Sequence, residues 1–343
     1  MTGRLPILQA RRLPLTADSR LMQEYSAMIL TDYYRSTPDS TWEIGRQLGV
    51  KHGVIRLPED PGFDPSCRSD WLPVYKRFID YGIKPIIIEP MPNALHDHIK
   101  AGDKMRDECI EKVLKMFPIM DELDIRTICF NWMAYVGWTR TRNDILERGG
   151  ARVTGFNLDE YQPIEASITC EELWANYTYF INAVIPEAER YGIKLALHPD
   201  DPPLLKLGDV SHIMISYENI RHAVRDIIVS PSLGVTFCQA CYYIMGEDLY
   251  RIIPALADKI MFIHFRNVTG TKIAFHETFH DNGDLDMPKI MKMYSNCRID
   301  VPIRVDHVPT LFGETMLNQG YDALGRLYAI GYLKGILETI EKA

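Results

Sequence analysis

Eight short, unbroken apolar runs, each followed by a stretch of helical periodicity, limit this chain's fold more than any other feature. The runs are AMILT, HGVIRL, KPIIIE, RTICFN, IKLALH, LGVTFC, IMFIHF and VPIRVD. Strands that read apolar throughout are buried on both faces, as in parallel sheets covered by helices. The helical patterns between them include STWEIGRQLG, WLPVYKRFIDYG, ECIEKVLKMFPIMDELD and CEELWANYTYFINAVIPEAERYG. ENIRHAVRDI, GEDLYRIIPALAD, DMPKIMKMYSNC and the terminal YDALGRLYAIGYLKGILETIEK complete the series. Glycine closes helices just before a strand in DYGIKPII and RYGIKLAL, as a C-cap should. Eight strand–helix units predict an α/β fold, a (β/α)8 TIM barrel formed by residues 1–343 as one domain. Residues 132–168, after the fourth strand, are too many for an ordinary connection and predict an inserted lid on the catalytic face. A doubly wound sheet is the weaker alternative, because no early strand leads into a glycine-rich dinucleotide turn.

Composition narrows the function. A net charge of -8, with no Lys/Arg block, argues against a nucleic-acid partner. No apolar run approaches the roughly 20 residues of a membrane helix, and the proline- and arginine-broken N-terminus does not read as a signal peptide. Seven cysteines, an odd number, predict reduced thiols and a cytoplasmic address. The aromatic-rich stretch YQPIEASITCEELWANYTYF can serve either a homo-oligomer interface or the core.

In a barrel of this kind the C-terminal ends of the strands converge on one mouth. The fifth, sixth and eighth runs end on His198, Cys238 and Asp306, and the seventh carries His264 one residue before its end. Taken singly, a strand-end histidine is usually a core residue, and a cysteine a small hydrophobe. Together at consecutive strand ends, two imidazoles, a thiolate and a carboxylate predict a site for a divalent metal. A rival CxxC reading of Cys238 and Cys241 lacks the second cysteine pair of a structural zinc site. Polar residues on the same face extend the candidate site. Asn131, Trp138 and Arg140 follow the fourth strand, Arg266 the seventh, and His276, Glu277 and His280 occupy the loop beyond it. Arg56 ends the second run, and His307 and Tyr321 follow the eighth.

The segments CFNWMAYVGWTRT, LALHPDDPP, GVTFC, FIHFRNV, KIAFHETFHDNGDLDM, VPIRVDH and GYDALGRLYAIGYLKG carry a resemblance. With a weaker echo in IIIEPMPN, the chain resembles the mannonate dehydratase family among the xylose-isomerase-like barrels. The resemblance implies a metal-dependent hydro-lyase that converts D-mannonate to 2-keto-3-deoxy-D-gluconate, with Mn²⁺ the common ion. It puts the metal ligands on His198, Cys238, His264 and Asp306, and a tyrosine near the reacting hydroxyl on Tyr321. On softness alone the donor set suits Zn²⁺, Fe²⁺ or Co²⁺, and Mn²⁺ is implied by the resemblance and not by the ligands. Two departures touch the substrate side. Ile55 and Arg56 stand where the family usually has a histidine pair, and RVDHVP replaces its RPDHG. A guanidinium for an imidazole keeps carboxylate binding and removes a titratable group. The reading is therefore a sugar-acid dehydratase, with Tyr321 or His307 as proton donor and His276, Glu277 or His280 as base or substrate contact. Arg56, Arg140 or Arg266 would hold the carboxylate. The alternatives are an epimerase or isomerase on the same barrel and, less favoured, a non-catalytic sugar-binding barrel.

Overall fold

The computed structural model describes residues 28–315 and 318–341. The N-terminal segment read as no signal peptide lies outside the described residues, as does Ala27 of the first apolar run. Eight parallel strands close into a barrel in chain order: β1 (Ile29–Tyr34), β2 (His52–Ile55), β3 (Lys84–Ile88), β4 (Thr127–Phe130), β5 (Lys194–Leu197), β6 (Leu233–Cys238), β7 (Ile260–Phe265) and β8 (Pro302–Val305). The expected TIM barrel is borne out. β1 pairs with both β2 and β8, which shuts the cylinder and leaves it no edge.

Period two along each strand sorts side chains between two cores. Val54, Ile87, Cys129, Ala196 and Phe262 fill the barrel interior, while Ile263, Phe265 and their counterparts pack outward against the helices. The long helix Cys170–Tyr191 shows how local sequence sets the boundaries. At its start Glu172 N–H donates to Thr169 Oγ1 at 3.1 Å and the Glu172 carboxylate accepts from Thr169 N–H at 2.8 Å, a capping box. At its end Gly192 takes φ 63°, where a side chain would be strained. Two helices escape the sequence pattern: Asn93–Ala101, directly after Pro90 and Pro92, and the seven-residue Gln239–Met245 after Cys238.

The insertion after β4 is not a plain loop. Its strands Arg142–Leu146 and Arg152–Asn157 join Ala274–Glu277 and Val268–Thr271, the hairpin after β7, in a four-stranded antiparallel sheet. The aromatic-rich stretch 161–180 is divided, with Tyr177 and Phe180 fully buried and Tyr179 exposed. Among the described residues, no helix is long and apolar enough to cross a membrane.

Candidate metal centre and substrate pocket

Strand register brings the ligand types together. Cys238 on β6 is the direct partner of His264 on β7, and His264 of Arg304 on β8. His198 and Asp306 each extend the ladder one residue past their strand, donating backbone N–H to Phe130 O at 2.7 Å and Phe265 O at 3.0 Å. Donor atoms of Cys238, His264 and Asp306 lie within 4.8 Å of one another, and so do those of His198, Cys238 and Cys241. The His198 and His264 rings are 4.9 Å apart. All four residues sought from the sequence therefore meet around Cys238.

The charges around them suit a cation. The Nδ1 of His198 lies 2.6 Å from Pro199 O. A carbonyl can only accept, so Nδ1 carries the hydrogen and Nε2 keeps its lone pair. Burial alone would push the Cys238 thiol up. The Cys241 thiol, the Arg266 charge and the two histidine rings overrule it and hold Cys238 well below the ordinary thiol range. Cys241 is driven the opposite way, by burial and then by Cys238, and keeps its proton. Burial and Arg304 both oppose a proton on His264, yet the carboxylates of Glu89 and Asp306 hold it there well above the usual imidazole range. Glu89 is 3.1 Å from His264 Nε2 and Asp306 is 3.4 Å from Nδ1. Neither ring nitrogen makes a hydrogen bond of good geometry. A buried pocket whose carboxylates favour positive charge at His264 fits a divalent ion, which would displace the His264 proton on binding.

Above these residues opens a cavity of about 820 Å³, lined by His198, His264, Asp306, His307, Tyr321 and Arg56 among others. Asn131 and Trp138 line it too. Tyr321 Oη lies 3.4 Å from Asp306 Oδ1, and burial pushes this phenol well above its ordinary range. His307 is pushed down to about 4, chiefly by burial. Arg56 is partly exposed and paired with Glu59 at the rim.

Five residues expected in the pocket lie behind its wall. Arg140 and Arg266 are buried and engaged by two carboxylates rather than open to a substrate. Arg140 grips Asp201 with both nitrogens, at 3.0 and 2.9 Å, and reaches Glu277 at 2.7 Å. Arg266 binds Asp201 at 2.7 Å and Glu277 at 2.7 and 2.8 Å. Glu277 is thus the anchor of a neutral four-charge cluster and is not part of the cavity lining. His276 sits on the small sheet opposite Gly155, outside the cavity lining. His280 is spent on structure, its Nε2 2.8 Å from Phe265 O and its ring stacked on Phe265.

Burial also pushes His280 down to about 4, only partly opposed by its bond to Phe265 O. The unfolded chain takes up this proton near 6.5 and the folded one only near 4. The resulting stability is intact above about pH 6.5 and drains away as pH falls to 4, by about 3 kcal/mol. His280→Gln is expected to flatten urea-measured stability across that window by about this amount. An unchanged slope would assign the acid sensitivity elsewhere.

Two groups of the site were not singled out beforehand. Glu89, at the end of β3, and Arg304, two residues before Asp306, form a bidentate pair at 2.9 and 2.8 Å, and Arg304 also binds Asp306 at 2.8 Å. Period two along β8 would have put Arg304 on the same face as Asp306. Glu89 offered only a lone acid at a strand end.

A closed parallel barrel with imidazole, thiolate and carboxylate gathered at its strand ends defines an enzyme of the TIM-barrel class. In agreement, it superposes on L-ribulose 3-epimerase with a TM-score of 0.59 at 15% identity, covering 92% of this chain and 96% of that one, a likeness of fold alone. The chain belongs to the mannonate dehydratase family of hydro-lyases. The D-mannonate dehydratase (UxuA) family model matches residues 43–167 and 157–343. The mannonate dehydratase of Brachyspira hyodysenteriae is 31% identical, covering 87% of this chain and 94% of its own. That of Streptococcus agalactiae is also 31% identical, over 90% and 97%. The crystal structure of mannonate dehydratase from Streptococcus suis serotype 2 superposes with a TM-score of 0.84 at 26% identity, covering 92% and 96%.

Proposed function

We propose that this chain dehydrates D-mannonate to 2-keto-3-deoxy-D-gluconate, with His198, Cys238, His264 and Asp306 holding a divalent ion, Mn²⁺ by family likeness. The observation that carries the reading is the convergence of these four side chains on Cys238 beneath a pocket that also presents His307 and Tyr321. When bound, the ion supplies Lewis-acid stabilisation of the negative charge that develops on substrate oxygens. Arg56 receives the carboxylate through its fork of donors, the role that Arg140 and Arg266 are too buried to fill. Two groups in the pocket are driven apart in proton affinity, which divides their work. Neutral His307 accepts the proton from the carbon next to the carboxylate at Nε2, the ring nitrogen not packed against Gly320. Tyr321 keeps its proton and delivers it from Oη to the hydroxyl leaving the neighbouring carbon. The insertion 132–168 acts as the lid that excludes water. A cytoplasmic setting accords with seven cysteines that are all free thiols.

Incubation with D-mannonate and Mn²⁺, followed by NMR in D₂O, is expected to show a 2-keto-3-deoxy acid. Bound metal without that product rejects this substrate. Deuterium uptake at carbon without loss of water would instead assign an epimerase.

A further inference from the structure

His307 is oriented in an unusual way. It has φ 44°, in the left-handed region that is uncommon for residues other than glycine, with histidine among those that enter it more readily. Its buried ring makes no hydrogen bond at Nδ1, and its Nε2 is 3.5 Å from Asp306 Oδ2, too long for a firm one. Something else fixes the imidazole plane. The indole of Trp138 lies flat on it, with centroids 4.9 Å apart and planes 6° from parallel. The ring of Tyr321 meets it at 5.1 Å and 61°. Gly320 completes the slot, since a side-chain carbon there would stand 3.2 Å from Nδ1.

Trp138 is held in turn. The guanidinium of Arg140 sits 4.5 Å from the indole centroid on the insertion after β4. Arg140 cannot swing, because Asp201 and Glu277 grip it inside the protein. Trp138 is 41% exposed, and its ring is met by His307 and by Arg140. Such a residue contributes little to the core and much to one ring plane.

We infer that Trp138 is a positioning residue: clamped by Arg140, it holds the His307 imidazole in the plane required for proton transfer. This rests on the reading of His307 as the proton-accepting group. A ring free to turn about its terminal torsion presents Nε2 in the right direction only part of the time, and misplacement on the scale of 1 Å costs on the order of 10²-fold in rate.

The test compares Trp138→Leu with Trp138→Phe, which keeps a flat face. Trp138→Leu is expected to lower kcat about 10- to 100-fold with KM little changed, and Trp138→Phe to recover most of the loss. A raised KM with unchanged kcat, or equal losses in both variants, would overturn the inference. A second readout needs no turnover. The ring Hε1 resonance of His307, assigned by its disappearance in His307→Asn, is expected to broaden in Trp138→Leu and stay narrow in Trp138→Phe. Equal line widths in both overturn the inference as well. Should the wild-type protein leave D-mannonate untouched, the dehydratase reading fails, and the line widths still decide the role of Trp138.

Discussion

Cys238→Ala is expected to abolish stable metal binding and to lower turnover of D-mannonate by about 10³-fold. Losing a partner outside the coordination sphere already costs a metal site about 10- to 100-fold in affinity, and Cys238 would be a direct ligand. Lewis-acid assistance supplies several kcal/mol of charge stabilisation, and 1.36 kcal/mol corresponds to tenfold in rate. The variant should still fold, because the change deletes a single sulfur atom and most of the surrounding packing survives. Metal content by mass spectrometry, read beside the thermal melt and the product assay, checks this. A folded variant with full metal content and wild-type turnover removes the proposed centre.

Glu277→Ala is expected to cost about 3–5 kcal/mol of stability, measured by urea titration. In the native protein Arg140 and Arg266 share two carboxylates, Asp201 and Glu277, and all four groups are buried. Removing one carboxylate leaves two guanidiniums with a single counter-charge in a dry interior. The contrast is Glu122→Ala, which breaks the exposed pair with Arg68 and is expected to leave the urea midpoint unmoved, because water already solvates both partners. Similar shifts in the two variants would mean that the buried cluster is better hydrated than its packing suggests.

The barrel was legible because its strands are buried on both faces, so each announces itself as an unbroken apolar run. β1 is the exception that shows the rule. Its run ends at Thr31, yet the strand continues to Tyr34, because Thr31 Oγ1 bonds Ile303 O at 2.9 Å and Asp32 is met by Arg326 at 2.6 Å. Polar residues hid a strand whose partners come from the far end of the chain. The strand-end ligands were legible for the same reason as the strands, since each closes an apolar run. The roles of Arg140 and Arg266 were not, because a sequence shows an arginine without its counter-ion. Here those counter-ions lie up to 137 residues away. His276, Glu277 and His280 read as one polar loop, whereas they belong partly to a strand of the small sheet. Alternation along it, with one ladder partner across the sheet, sends neighbouring residues to different fates.

The small sheet over the barrel mouth is stitched from two excursions more than a hundred residues apart, Arg142–Asn157 and Val268–Glu277. Neither half of the cylinder can raise that roof alone. A ribosome-bound chain lacking its last third would have the fourth stave and no opposite hairpin to zip against, and the charge cluster beneath would lack Arg266 and Glu277 together. Completion of the catalytic mouth is therefore a late, all-or-nothing event in the life of the polypeptide.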